Sequence, residues 1–227
     1  MMKKRSGFVV MFFLFLAVFA AGGNSSAQQP AFYDEIQAFK KLDSAEKPAK
    51  NSILFVGSSS FRMWTSIKED FRMHSVINRG FGGSSLVDVI RYVDEIIFPY
   101  KPAQVVIYCG ENDLAASDTV TSQIVFERFQ NLFTMIRKQL PDAAVAFVSI
   151  KPSPSRAHLL SKVIAANNLI RDFLKGQPKA AYIDVFTAMI DQQGNPKPDL
   201  FIDDKLHMNQ KGYAIWVEVI EPYLIKQ

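Results

Sequence analysis

The chain has 227 residues, a net charge of +4, 48% hydrophobic residues and one cysteine. Lys3, Lys4 and Arg5 account for three units of that net charge, so the rest of the chain is nearly neutral. It has no basic tail or lysine- and arginine-rich stripe of the kind that binds nucleic acid, and one cysteine excludes an internal disulfide. The composition therefore indicates a globular protein with one domain of ordinary size.

The first 27 residues have the pattern of a secretory signal peptide. A basic start precedes an apolar run from Phe8 to Ala21, and Ser25 and Ala27 stand at the −3 and −1 positions of a cleavage site. The run is shorter than the roughly 18 residues expected of a membrane-spanning helix. We predict a secreted or periplasmic protein without stable membrane insertion after cleavage; a retained N-terminal anchor is the alternative.

Helix-like and strand-like segments alternate along the rest of the chain. Residues 28–50 predict a leader helix that packs beside the sheet and adds no chemistry, ahead of a domain over 51–227. Apolar runs predict strands at 52–57, 75–80, 103–110, 143–150 and 180–186, and helical spacing predicts helices over 84–98, 120–139, 156–175 and 209–225. This alternation predicts a three-layer α/β/α sandwich with a mostly parallel five-stranded sheet.

A polar cluster follows each predicted strand. In an open parallel sheet, binding sites form beyond the C-terminal ends of the strands. The clusters are GSSS (57–60), RGFGGSS (79–85), GENDL (110–114), KPSPSR (151–156) and, after a longer connection, FIDDKLHMN (201–209). We therefore expect one site built from these loops.

The last cluster contains the candidate base. Asp204 precedes His207 by three residues, a spacing at which a carboxylate in a loop can fix the histidine tautomer and leave Nε2 as a proton acceptor. Asp203 is the rival for the orienting role. A D-x-x-H sequence also arises by chance in surface loops, and as half of a zinc site it lacks a second histidine or cysteine nearby.

The serine cluster and two later loops supply the other parts of a possible hydrolytic site. A serine at a sharp strand-to-helix turn exposes its hydroxyl, but it needs a base to become a nucleophile; GSSS alone could equally be a turn and a helix cap. The GFGGS segment offers unobstructed backbone N–H groups and Asn112 offers a side-chain amide, the kinds of donor that stabilise an oxyanion.

Together these segments resemble the SGNH hydrolases, also called GDSL esterases/lipases, from about Ser52 to Tyr213. The G-D-S block corresponds to FVGSSSFRMW, the second block's glycine to Gly83, the G-x-N-D block to Gly110–Asp113 and the D-x-x-H block to Asp204–His207. One departure is that Ser58 replaces the aspartate of G-D-S. We expect this replacement to retune the loop without abolishing activity.

The resemblance implies a flavodoxin-like SGNH hydrolase fold and a role for each matched residue. Ser59 would be the nucleophile, His207 the general base and Asp204 its orienting acid. The oxyanion hole would comprise the backbone N–H groups of Ser59 and Gly83 and the side chain of Asn112.

The sequence thus predicts an exported serine esterase that hydrolyses short-chain or acetyl esters of a carbohydrate or other small alcohol. No metal or organic cofactor is implied. Arg156 is a candidate substrate-binding residue, with a surface arginine near a helix start as the alternative. The competing functions are a thioesterase or lysophospholipase with the same triad, and a non-catalytic binding domain of the same fold.

Overall fold

The computed structural model describes residues 29–226. The predicted signal peptide lies outside the described residues. Within 29–226, none of the helices combines the length and apolar character needed to cross a membrane.

Five parallel strands form one sheet in the order β2-β1-β3-β4-β5. The strands are β1 (Ile53–Gly57), β2 (Val76–Gly80), β3 (Gln104–Tyr108), β4 (Ala144–Val148) and β5 (Ala180–Ile183). The order reverses between β1 and β3, and a reversal of this kind opens a crevice at the C-terminal ends of the strands. The predicted parallel five-stranded sheet is confirmed.

Helices connect the strands and cover both faces of the sheet. They are α1 (Tyr33–Ala45), α2 (Ser59–Arg62), α3 (Ile67–Asp70), α4 (Leu86–Arg91), α5 (Val93–Ile96), α6 (Glu111–Ala116), α7 (Ser122–Gln139), α8 (Leu160–Lys175), α9 (Val185–Ala188) and α10 (Gln210–Ile220). Single turns of 3-10 helix lie at Phe98–Tyr100, Pro198–Leu200 and Glu221–Tyr223, and a longer 3-10 segment at Pro154–Leu159.

Two hydrophobic cores lie on opposite sides of the sheet, because successive strand side chains point to opposite faces. Leu54 and Val56 of β1 belong to the core beneath α1, α4, α5, α7 and α8. Ile53 and Phe55 belong to the core beneath α2, α3, α9 and α10. All four side chains are fully buried, which explains why β1 reads as an unbroken apolar run. The predicted three layers are confirmed.

Several predicted element boundaries are wrong. The helix predicted over 84–98 breaks at Tyr92, whose side chain is buried and whose hydroxyl donates to the backbone oxygen of Ala31 at 2.7 Å. The helix predicted from Arg156 begins at Leu160, because Arg156 has a non-helical backbone (φ −120°, ψ 24°) within the preceding 3-10 segment. The last predicted helix ends at Ile220, just before Pro222.

The strands β3, β4 and β5 are also shorter than predicted, since they end at Tyr108, Val148 and Ile183. The apolar residues beyond these ends remain buried in the loops that follow, as Cys109 and Ile150 illustrate. An apolar run therefore marks burial along the chain and not the point at which strand pairing ends.

Candidate active site

The turn after β1 is built on a glycine that no other residue could replace without strain. Gly57 has φ +138°, and a Cβ atom at this position would lie 1.9 Å from the backbone oxygen of Tyr108. The N–H of Ser58 donates to that same oxygen at 3.0 Å. The chain then turns directly into α2, of which Ser59 is the first residue. The turn thus presents Ser59 at the C-terminal edge of the sheet.

The structure brings Ser59, His207 and Asp204 into one hydrogen-bonded chain. Ser59 Oγ lies 2.9 Å from His207 Nε2 across 148 positions of sequence. His207 Nδ1 lies 2.6 Å from Asp204 Oδ2. A carboxylate on Nδ1 fixes the imidazole tautomer in which Nε2 is unprotonated and can accept the serine proton.

Asp204 is held in its ionised form by a set of donors. Burial alone would raise its pKa, but hydrogen bonds from the His207 ring and from the backbone N–H groups of His207 and Leu206 lower it to about 2. Those two N–H groups donate to Oδ1 at 2.8 and 2.9 Å. Asp203 is exposed and makes no hydrogen bond or ion pair within residues 29–226, so the structure places Asp204 and not its neighbour on the ring.

Two backbone N–H groups in the site loops have no hydrogen-bond partner within residues 29–226. The N–H groups of Ser59 and Gly83 have no hydrogen-bond acceptor among the residues that the structure describes. Gly83 is exposed, and a Cβ atom built on it would lie 3.8 Å from Asn112 Nδ2, so these two residues are neighbours.

Ser58 contacts the third predicted donor. Asn112 Nδ2 donates to Ser58 Oγ at 2.9 Å and to the backbone oxygen of Ser84 at 3.1 Å. The serine that replaces the aspartate of the G-D-S block therefore supplies a neutral acceptor to the amide. Because Ser58 is 4% exposed, it belongs to the inner wall of the site.

Asp113, the last residue of GEND, ties this loop to the neighbouring one. Its side chain accepts from the N–H of Leu86, the first residue of α4, at 2.8 Å and from Arg128 Nη1 at 2.7 Å. Burial raises the pKa of Asp113, and those two donors oppose that rise. The carboxylate thereby connects the first turn of α6 to the start of α4, directly after the loop that carries Gly83.

A buried cluster of polar and charged side chains lies next to the site. We name it the Glu111 cluster, and it comprises Tyr108, Glu111, Lys151 and Ser153. Glu111 accepts from Lys151 Nζ at 2.6 Å, from Ser153 Oγ at 2.5 Å and from the Tyr108 hydroxyl at 2.9 Å. Burial would raise the pKa of Glu111, but Lys151, Arg156 and the hydrogen bonds lower it below its ordinary value. Sequence reasoning missed this cluster, because Glu111 occupies the variable position of G-x-N-D.

Arg156 lies at the rim of the cluster. Its Nη1 is 3.7 Å from Glu111 Oε1, its side chain is 20% exposed, and it makes no side-chain hydrogen bond within residues 29–226. The preceding Ser155 donates through both its backbone N–H and its hydroxyl to the oxygen of Lys205, at 3.0 Å each. Arg156 is thus placed between the GEND loop and the loop that carries His207.

Among residues 29–226, no group of three or more histidine, cysteine, aspartate or glutamate side chains is arranged to hold a metal ion. The chemistry available from these residues is that of a serine hydroxyl hydrogen-bonded to an oriented imidazole, with unpaired N–H donors on the serine itself and on the loop that carries Gly83. Such an arrangement can form and break an acyl bond to the serine oxygen.

Solved structures with the same fold include several esterases. A GDSL-like lipase from Bacteroides thetaiotaomicron superposes with a TM-score of 0.71 at 19% identity, covering 82% of this chain and 95% of that one. An acetylxylan esterase from Geobacillus stearothermophilus, solved as a catalytic mutant, gives a TM-score of 0.64 at 12% identity, covering 77% and 94%. A carbohydrate esterase family 3 protein from Talaromyces cellulolyticus gives 0.61 at 17% identity, covering 75% and 94%.

A search of curated protein sequences finds no match. The sequence profile of the GDSL-like lipase/acylhydrolase family, by contrast, matches residues 51–215, which is more than half of the chain and includes all four motif blocks. The resemblance read from those blocks is confirmed: the chain belongs to the GDSL-like lipase/acylhydrolase family, whose members hydrolyse ester bonds.

Proposed function

We propose that the protein is a serine esterase in which Ser59, His207 and Asp204 form the catalytic triad. The observation that carries the proposal is the 2.9 Å contact between Ser59 Oγ and His207 Nε2. In the acylation step, His207 takes the Ser59 proton as the oxygen attacks the ester carbonyl carbon, and then gives that proton to the departing alcohol. The same imidazole next deprotonates a water molecule, whose oxygen attacks the acyl carbon; the bond from that carbon to Ser59 Oγ then breaks as His207 returns the proton to Oγ, and the acid is released.

The negative charge that develops on the carbonyl oxygen is stabilised by the N–H groups of Ser59 and Gly83 and by the amide of Asn112. The lack of acceptors for the two backbone donors within residues 29–226 supports this role. Asn112 Nδ2 donates to Ser58 Oγ and to the backbone oxygen of Ser84. An oxyanion is a stronger acceptor than a neutral hydroxyl, so we expect the N–H that donates to Ser58 Oγ to be shared with the oxyanion during the reaction, while Ser58 still orients the amide.

We propose short acyl groups, acetyl above all, on a carbohydrate or other small alcohol as the substrates. The solvent access of the catalytic groups supports soluble substrates, since the side chains of His207 and Asp204 are 20% and 42% exposed. Two structural neighbours are described as acting on acetylated xylan or as a carbohydrate esterase. The signal-peptide pattern of residues 1–27 supports export to a secreted or periplasmic location.

The triad is tested by single substitutions assayed on p-nitrophenyl esters of increasing chain length and on acetylated xylooligosaccharides. We expect Ser59→Ala and His207→Ala each to lower kcat by about 10⁴-fold or more, and Asp204→Ala to cost less. Ser66→Ala is the matched control, because Ser66 is exposed and bonds to Asp70. Labelling by a fluorophosphonate should disappear in Ser59→Ala; labelling that persists would refute the nucleophile assignment.

The same panel separates the competing functions. Faster turnover of long-chain acyl thioesters than of acetyl esters would favour a thioesterase or lysophospholipase. A wild-type protein that neither turns over any ester nor reacts with the fluorophosphonate would be a binding domain.

We further propose that Arg156 binds an oxygen acceptor on the alcohol part of the substrate. Its position between two site segments and its partly exposed side chain, which makes no hydrogen bond within residues 29–226, support this role. Arg156→Gln should raise KM for an acetylated xylooligosaccharide by about tenfold or more, the loss expected for a charged hydrogen bond. KM for phenyl acetate, whose alcohol part carries no oxygen beyond that of the ester itself, should stay within twofold. Equal KM changes for both esters would remove Arg156 from the alcohol site.

A further inference from the structure

The N-terminal segment that precedes the family-matched region contacts the loop that carries Gly83. Glu35, in the first turn of α1, accepts a hydrogen bond at Oε2 from the N–H of Gly82 at 3.0 Å. The same oxygen lies 3.2 Å from Arg62 Nε, on the helix that begins with Ser59. The carboxylate of Glu35 therefore contacts both the loop that carries Gly83 and helix α2.

The loop and the segment are also packed together. Gly82 has φ +31°, and a Cβ atom on it would lie 2.2 Å from Cε1 of Phe32. The Phe32 ring packs edge-on against Phe81, with centroids 5.4 Å apart. Phe32 and Glu35 together contact Gly82, whose backbone has a positive φ that glycine readily adopts and other residues rarely do.

The other bonds of this loop hold its two ends. The N–H of Phe81 and the hydroxyl of Ser84 both donate to the backbone oxygen of Gly57 at 3.0 Å. Between them, two consecutive glycines form the part of the loop with the greatest conformational freedom. Glu35 binds the first of these, one peptide unit before the Gly83 N–H. It therefore acts at the point where the direction of that N–H is decided.

Arg62 makes a carboxylate tolerable at this position. An unpaired negative charge near the oxyanion would oppose its formation, because like charges repel across a site that is partly shielded from water. The guanidinium of Arg62 offsets the charge of Glu35 while leaving the same oxygen able to accept from Gly82.

We propose that Glu35 is a positioning residue, whose carboxylate aims the Gly83 N–H at the oxyanion. This inference rests on the proposed serine-esterase function. A leader that merely stabilised the fold would change the melting temperature and leave turnover at lower temperatures intact. A positioning role instead changes kcat while KM for the ground-state ester stays nearly constant, because the oxyanion exists only on the reaction path.

The test compares Glu35→Ala with Glu35→Gln in the full exported chain. Glu35→Ala removes the acceptor, and we expect kcat for p-nitrophenyl acetate to fall about ten- to hundredfold with KM within twofold. The inhibition constant of an alkylboronic acid, whose tetrahedral adduct occupies the oxyanion position, should rise by a similar factor. Glu35→Gln keeps an amide oxygen for the Gly82 N–H and should retain kcat within threefold of wild type.

Lys40→Ala is the matched control, because Lys40 belongs to the same helix and forms an ion pair with Glu95 at 3.9 Å without touching the loop. Its kcat should equal that of the wild type. The inference is overturned if Glu35→Ala retains kcat within twofold, if Glu35→Gln is as damaging as Glu35→Ala, or if the loss of activity follows the melting temperature across all three variants. Turnover that persists at the wild-type rate in Ser59→Ala would instead overturn the proposed function.

Discussion

Two segments of the proposed oxyanion hole are each supported by a glutamate, but in different surroundings. Glu35 contacts the loop that carries Gly83 from the surface, with a side chain that is 34% exposed and paired with the still more exposed Arg62. Glu111 lies beside Asn112 at the start of α6 and is buried, with a side chain that is 6% exposed and paired with Lys151 at 1%.

The difference in burial between the two ion pairs predicts different contributions to the stability of the fold. An exposed ion pair contributes less than about 1 kcal/mol to folding, since water and salt screen it. In a buried ion pair, both charges have lost their hydration and are stabilised mainly by each other. Removing one of them leaves an unpaired charge in the interior, which strongly destabilises the fold. We therefore expect Glu35 to affect catalysis at little cost in stability, and Glu111 to affect both.

The largest effect predicted from the comparison is the loss of stability in Glu111→Gln. This change leaves Lys151 buried beside a neutral amide, and the free energy of unfolding should fall by about 3 to 5 kcal/mol. The measurement is urea-induced unfolding at pH 7. The double variant Glu111→Gln, Lys151→Met removes both charges and should recover most of the loss. A double variant that stays as unstable as the single one would show that the hydrogen bonds of the cluster, and not its charge balance, stabilise the fold.

The pH dependence sharpens the same prediction. The pKa of Glu111 is lowered in the folded protein from its ordinary value of 4.5. The ionised side chain therefore stabilises the fold fully at pH values above 4.5, and this stabilisation is lost as the pH falls below 4.5 and through the lower pKa of the folded state. Protonated Glu111 resembles glutamine. The difference in unfolding free energy between wild type and Glu111→Gln should therefore be constant from pH 7 to about 5 and narrow towards pH 3. A difference that stays constant down to pH 3 would mean that the pair does not titrate as proposed.

These two glutamates also mark where sequence reasoning stopped. The sheet was predictable because β1 and β3 are buried on both faces and read as apolar runs. The contact between Ser59 and His207 was predictable because motif blocks identify both residues, despite a separation of 148 positions. Glu111 was not, because glutamate and lysine are usually surface residues and its partner Lys151 lies forty positions away.

The leader helix was predicted, but its contact with the site was not. The sequence of α1 alternates apolar and charged residues and carries no sign that Glu35 meets a backbone N–H 47 positions later. The break at Tyr92 has a similar origin, since the hydroxyl of that residue bonds to Ala31 in the same leader segment. In both cases the decisive partner is a backbone group, and backbone groups leave no signature in a sequence.

The smallest effect we predict concerns Ser58. Its hydroxyl contacts the Asn112 amide directly, whereas Glu35 binds the residue before Gly83 and Glu111 is the residue before Asn112. Ser58→Ala removes one of the two acceptors that hold Asn112 Nδ2 and leaves the oxygen of Ser84 in place. One neutral hydrogen bond is worth about 1 kcal/mol, so kcat should fall by about three- to tenfold with KM unchanged. Ser58→Asn, which has the shape of the aspartate typical of the family, keeps an uncharged acceptor at this position and should hold kcat closer to wild type than Ser58→Ala does. Steady-state kinetics on p-nitrophenyl acetate measures both. A loss in Ser58→Ala as large as that in Ser59→Ala would instead mean that the nucleophile has been assigned one residue too late. Only removal of the attacking oxygen should lower kcat by that much, because no other group can replace it.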